Sequence, residues 1–106
     1  LKIREEISLT ERQMKNREEK TAIAREAARR IQPNETIFLD ASSTVLTLTE
    51  FLPDCPLTIV TNALNVFTAL EGRPQWDLIC TGGLYDARSR SFIGLQAEQA
   101  LRRFNI

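Results

Sequence analysis

The chain has 106 residues, of which 42% are hydrophobic and 26% are charged, so it has ordinary globular composition and enough length for one domain. Its 14 basic residues balance its 14 acidic residues, which argues against nucleic-acid binding by this part, because such binding needs clustered Lys and Arg. The chain has no histidine, which is the usual general base and the commonest metal ligand. It also has no apolar run of transmembrane length. We therefore expect no metal, no cofactor and no contact with a membrane.

The two cysteines, Cys55 and Cys80, share no spacing typical of a metal site and fall in different predicted elements. We expect Cys55 in a loop and Cys80 on a buried strand. The simplest interpretation is two reduced thiols, which is typical of a cytoplasmic protein.

Residues 1–15 are rich in charge, and their scattered apolar residues fit neither a helix nor a strand. We expect an arm or linker that enters from an absent N-terminal domain, because the chain starts at Leu1 rather than at a methionine. Residues 16–106 would then form the first part of a folded domain.

The first predicted helix begins at Asn16, where Glu19 completes a capping box. Small and apolar residues recur every four positions, which favours close packing of one helix face. These residues are Ile23, Ala27 and Ile31, with Ala24 and Ala28 beside them. Pro33 disfavours helix at the residue before it and Asn34 can take a left-handed turn, so the helix should end there.

Three short apolar runs without alternation predict strands that are buried on both faces. They are Thr36–Leu39, Leu57–Val60 and Asp77–Cys80. Helical spacing follows each of them, from about Ser43 to Leu52, from Ala63 up to the breaker Glu71-Gly72-Arg73-Pro74, and from Gly94 onward, with Tyr85–Ser91 as a loop or irregular hairpin. Repeated strand–loop–helix units predict an α/β fold, in which a parallel sheet carries helices on both faces.

The polar segments that end the three strands are the candidate binding site, because ligands of open parallel sheets bind at the carboxyl ends of the strands. These segments are Asp40-Ala41-Ser42-Ser43-Thr44, Thr61-Asn62 and Thr81-Gly82-Gly83. The first combines small residues, hydroxyls and the start of a helix, a combination that suits an anion such as phosphate. The alternatives are structural: Ser42 or Ser43 as a helix N-cap, Asn62 as the cap of the next helix, and Gly82-Gly83 as a tight turn.

Several motifs in order resemble the C-terminal effector-sensing domain of DeoR-family transcriptional regulators, bacterial repressors of sugar-metabolism operons. The motifs are Glu19-Lys20 with Ile23-Ala24 and Ala27-Ala28, Ile37 to Thr44, Leu57 to Asn62, Gly82-Gly83, and Gly94 with Ala97 and Leu101. The resemblance spans essentially the whole chain but only the first two thirds of such a domain. Family members often have Gly in the first hydroxyl-rich segment, where this chain has Ala41 and Ser42.

The resemblance implies a fold similar to ribose-5-phosphate isomerase, cut short at its C-terminal end, a phosphorylated sugar as effector, a homo-oligomer, and operator DNA bound by a helix-turn-helix domain outside this chain. We expect the phosphate against Ser42, Ser43 and Thr44, with the other two segments lining the sugar. Asp40 would accept hydrogen bonds from sugar hydroxyls or loop N–H groups. The alternative is part of an isomerase or lactonase with Asp40 as base, which we disfavour because a lone carboxylate is insufficient for aldose–ketose proton transfer.

Overall fold

A computed structural model describes residues 17–104, so the arm predicted for residues 1–15 and the capping residue Asn16 lie outside the described part. The elements in chain order are α1 (Arg17–Arg29), β1 (Thr36–Leu39), α2 (Ser43–Leu48), β2 (Leu57–Thr61), α3 (Leu64–Leu70), β3 (Trp76–Cys80), β4 (Leu84–Asp86), β5 (Ser91–Ile93) and α4 (Leu95–Arg103). Within this range, no helix is both long and apolar enough to cross a bilayer.

The first three strands form a parallel sheet in the order β1–β2–β3, which confirms the predicted architecture. Short apolar runs rich in β-branched residues account for these strands, and the helices between them make the parallel crossovers possible. The pairing register places Leu39 opposite Thr61 and Thr61 opposite Cys80, so the three strands end in one row.

Helix α1 packs through the predicted stripe of small residues. Ala24, Ala27 and Ala28 are buried in the main core, and Ile31 is buried just after the helix ends. Small side chains allow α1 to lie close to its neighbours. The end of the helix is also as predicted, because Asn34 has φ 68°, in the left-handed region.

The two faces of the sheet are covered by different helices. Ile37, Leu39 and Ile59 belong to the core cluster that contains buried residues of α1, α2 and α3. Ile79 points to the opposite face from Leu78, because strand side chains alternate, and it lines a groove with α4. Helices on both faces of the sheet agree with the predicted class.

Two details, the end of α2 and the exposure of Cys80, differ from the sequence predictions. Helix α2 ends at Leu48 rather than Leu52, because the backbone tightens: Glu50 N donates to Thr47 O at 3.1 Å and Phe51 N to Leu48 O at 2.9 Å. The apolar spacing continued through these turns and made the helix look longer. Cys80 is exposed rather than buried, since β3 has a paired neighbour on one side only within residues 17–104.

The segment predicted as a loop or irregular hairpin forms the antiparallel hairpin β4–β5. Tyr85 and Phe92 pair across it with ring centroids 5.4 Å apart. The hairpin joins the rest of the fold through the segment after β2, because Phe92 N donates to Asn62 O at 2.7 Å. It therefore ties the second predicted site segment to the region before α4.

Candidate functional site

The sheet register brings the three polar segments to the same edge, because the last residues of the three strands are direct partners. Two further bonds fix this edge. Thr61 Oγ1 donates to Leu39 O at 2.7 Å, and Thr81 N donates to Thr61 O at 3.1 Å. The segments that begin at Asp40, Asn62 and Thr81 are thus neighbours, as the sequence predicted for the ends of parallel strands.

Thr61 lies inside β2 rather than in the loop where the sequence placed it. It is fully buried, and its hydroxyl also accepts a hydrogen bond from Ala63 N at 3.0 Å. With one bond donated and one accepted, this hydroxyl links the ends of β1 and β2. Its side chain positions the site.

The first segment is held in shape by its own side chains. Asp40 Oδ1 accepts a hydrogen bond from Ser42 N at 3.1 Å, and Ser42 Oγ accepts one from Val45 N at 3.2 Å. Ser42 is therefore the N-cap of α2, which confirms that structural alternative for this residue. Ala41 is half-buried against the core. The Ser42 oxygen accepts the capping bond, which leaves its O–H hydrogen available as a donor.

Lys20 reaches this segment from α1, although the sequence pattern does not predict it as a site residue. Its Nζ donates a hydrogen bond to Ser43 Oγ at 2.9 Å. Glu19-Lys20 was part of the family motif, but helix periodicity alone does not show which loop a helix side chain will contact. The contact depends on how α1 packs against α2.

Two buried polar atoms at this edge lack hydrogen-bond partners among the described residues. They are Thr44 Oγ1, on a fully buried residue, and Asn62 Oδ1. Asn62 does not cap α3, because the N-cap of that helix is Ala63 and has no side-chain capping bond. Buried polar atoms are nearly always hydrogen-bonded in folded proteins. The Asn62 oxygen, directly after β2, and the Thr44 hydroxyl, in the first turn of α2, are therefore places where a ligand or water can bind.

The third segment is shaped by its backbone. Gly82 has φ 69° and Gly83 has φ 112°, both in the region that favours glycine. A Cβ atom on Gly83 would lie 2.7 Å from the backbone oxygen of Ile93, whereas one on Gly82 would meet no atom within 4 Å. Gly83 therefore permits close packing on β5 and α4, and Gly82 leaves open space beside the strand end.

A groove of about 470 Å³ adjoins the third segment. Its lining combines residues 79–83 with side chains of α4 and the residue after it, namely Gln96, Gln99, Ala100, Arg103 and Phe104. The sequence pattern does not predict this groove, because the groove depends on where α4 packs. Among residues 17–104, a larger concavity of about 710 Å³ is lined by α1, and none of the described strand ends contributes to it. We place the candidate site at the strand ends, where polar groups from several elements converge.

Comparison with known protein families decides the classification. The family described as DeoR C terminal sensor domain matches residues 15–106. The chain belongs to this family. The resemblance drawn from the sequence motifs is thereby confirmed.

Curated relatives of this DeoR sensor chain are transcriptional regulators. An uncharacterized HTH-type transcriptional regulator of Bacillus subtilis, YulB, is 38% identical over 95% of this chain and 39% of its own length. The L-fucose operon activator of Haemophilus influenzae is 38% identical, and the deoxyribose operon repressor of Escherichia coli is 32% identical, each over 82% of this chain and 35% of its own length. The chain thus spans less than two fifths of the length of these relatives.

Proposed function

We propose that this chain is the effector-sensing part of a transcriptional regulator of sugar metabolism, and that it binds a phosphorylated sugar at the three strand-end segments. The observation that carries the proposal is the row of Leu39, Thr61 and Cys80, which brings these segments together at one edge. The family match supports the regulatory role, and the names of two relatives refer to a fucose operon and a deoxyribose operon.

The first segment suits the phosphate. Ser42, Ser43 and Thr44 carry three successive hydroxyls, and hydroxyls donate well to phosphate oxygens. Ser43 is exposed, whereas the Thr44 hydroxyl is buried and has no partner among the described residues. Asn62 suits the sugar, because its buried side-chain oxygen has no partner among residues 17–104 and can accept from a sugar hydroxyl. Gly82 and Gly83 complete the site, and the open space beside Gly82 allows the ligand to approach the backbone.

Asp40 shapes the site in this proposal. Its Oδ1 accepts from the N–H of Ser42, and such a bond holds the segment in a turn. An isomerase or lactonase of similar fold is the alternative, but the relatives described above are transcriptional regulators. We therefore assign the chain a sensing role without catalysis.

The wider role follows from the relatives and is part of the same proposal. The sensor would act with a helix-turn-helix domain that binds operator DNA, as the HTH-type names of relatives indicate. We propose a homo-oligomer that works in the cytoplasm, where sugar phosphates and operators are found together. Binding of the sugar phosphate would change how the DNA-binding domains are held.

Calorimetric titration of the intact protein tests the proposal. The panel consists of glucose 6-phosphate, fructose 6-phosphate, ribose 5-phosphate and deoxyribose 5-phosphate, each compared with its unphosphorylated sugar. We expect one or more phosphorylated sugars to bind and the free sugars to bind far more weakly. A hydrogen bond to a charged group contributes about 1.5–3 kcal/mol, so Ser43→Ala should weaken binding roughly ten- to a hundredfold.

Asn62→Ala and Asp40→Ala should also weaken binding, whereas Ser89→Ala is a matched control, because Ser89 is an exposed residue between β4 and β5. If the three site variants all bind as tightly as the wild type, the three-segment site is wrong. If a free sugar binds as tightly as its phosphate, the phosphate assignment fails even though the location stands.

A further inference from the structure

Lys20 joins α1 to the first site segment by the hydrogen bond from its Nζ to Ser43 Oγ, 2.9 Å long. The lysine lies in the second turn of a 13-residue helix, and its side chain is half-buried. Ser43 is exposed and begins α2. The contact therefore places a positive charge at the surface of the segment that carries the three successive hydroxyls.

The charge of Lys20 is not paired with a carboxylate among residues 17–104. An ammonium group has three N–H donors, and one of them is used within the described part of the chain, on a neutral hydroxyl. The nearest carboxylate along the first segment, Asp40, accepts from the N–H of Ser42 instead. Two donors of Lys20 therefore remain for a group that the described residues do not supply.

A second observation at the same segment also indicates a ligand. Thr44 is fully buried, and its Oγ1 has no hydrogen-bond partner among the described residues. The neighbouring residue Ser43 carries the contact with Lys20. The residue that contacts Lys20 thus directly precedes, along the chain, a buried threonine whose hydroxyl has no partner among the described residues.

We propose that Lys20 recognises the charge of the phosphate and thereby selects phosphorylated sugars over free ones. This inference rests on the function proposed above and deepens it. The Lys20 ammonium bridges Ser43 Oγ and a phosphate oxygen when the sugar phosphate is bound. It also offsets the repulsion between the phosphate and Asp40, a carboxylate two residues before Ser42.

Titration of the intact protein with the same phosphorylated sugars, and with inorganic phosphate, tests this role. We expect Lys20→Gln to weaken binding of both probes roughly ten- to a hundredfold, because a charge-assisted hydrogen bond is lost. Lys20→Arg keeps the charge and should recover most of the affinity. Binding of the unphosphorylated sugars, where it is measurable, should not change.

Arg29→Gln is the matched control, since it also removes one positive charge from α1. The side chain of Arg29 is 75% exposed and lies 3.5 Å from the Glu26 carboxylate. It should leave the affinity within about twofold of the wild type, because exposed charges are screened. Equal losses in Lys20→Gln and Arg29→Gln would reduce the effect to overall charge and overturn the inference.

Chemical modification of the wild type gives a second readout that needs no variant. Acetic anhydride acetylates accessible lysines, and mass spectrometry measures the extent at Lys20. The bound sugar phosphate should protect Lys20 severalfold, whereas the matching free sugar should not. Unchanged acetylation of Lys20 at a saturating concentration of the sugar phosphate would contradict the assignment.

The outcomes separate the two proposals. If a phosphorylated sugar binds the wild type and Lys20→Gln equally well, the role of Lys20 is wrong and the proposed function stands. If no phosphorylated sugar of the panel and no inorganic phosphate binds the wild type, both proposals are wrong.

Discussion

The first and third site segments occupy equivalent positions at the ends of β1 and β3, the two strands that flank β2, but different parts of the chain hold them. Side chains hold the first: Asp40 accepts from Ser42 N, Ser42 caps α2 and Lys20 bonds to Ser43. The backbone holds the third, where Gly82 and Gly83 have positive φ and Gly83 packs against β5. One segment therefore offers hydroxyls and charge, and the other offers space and backbone.

In the proposed site, this difference would divide ligand recognition between the loops of one sheet edge. Polar side chains select a charged group, while glycines allow a ligand and a neighbouring strand to approach. Thr61 lies between the two, with its hydroxyl bonded to β1 and to the start of α3. Substitutions in the first segment, at Thr61 and in the third segment should therefore reduce the free energy of unfolding by different amounts. The order of these losses can be measured.

The largest effect on stability is expected for Gly83→Ala. The new Cβ would lie 2.7 Å from Ile93 O at φ 112°, so backbone strain and overpacking act together. We expect a loss of about 3 kcal/mol in the free energy of unfolding, measured by urea denaturation. The matched control is Gly82→Ala, which has positive φ but no close neighbour and should cost about 1 kcal/mol. Equal losses would show that the close approach to β5 has no energetic weight.

An intermediate effect is expected for Thr61→Val. The substitution keeps the shape of a fully buried side chain but leaves Leu39 O and Ala63 N without their hydroxyl partner. We expect a loss of about 2 kcal/mol in the free energy of unfolding, because unsatisfied buried groups are costly. Thr68→Val, at an exposed position on α3, should change stability by less than about 0.5 kcal/mol. A Thr61→Val protein as stable as the wild type would refute the linking role of this hydroxyl.

The smallest effect is expected for Ser42→Ala, which removes the N-cap of α2. A lost cap typically costs about 1 kcal/mol, so the midpoint of thermal unfolding should fall by a few degrees. Ser42→Asn retains a capping oxygen and should stay close to the wild type. Should Ser42→Asn lose as much as Ser42→Ala, capping would not explain the result.

The sequence predicted those features that depend on local pattern. Three apolar runs gave the parallel sheet, and the residues after them gave the row of polar segments. The predicted end of α2 was wrong because the apolar spacing continued past the last helical residue. The predicted burial of Cys80 was wrong because its apolar run looked like an interior strand. Lys20 and the groove beside α4 were missed because both depend on how helices pack, which periodicity does not specify.

The most direct test of the central claim is to map backbone amide shifts by NMR on the ¹⁵N-labelled protein as the tightest-binding phosphorylated sugar of the panel is added. The account predicts the largest shifts at three places on one sheet edge, namely the amides of Ser42 to Thr44, Asn62, and Gly82 with Gly83. The corresponding free sugar should leave the first of these places nearly unchanged. Shifts confined to the outer face of α1, or to Gln96 and Gln99 of α4, would contradict the assignment of the site.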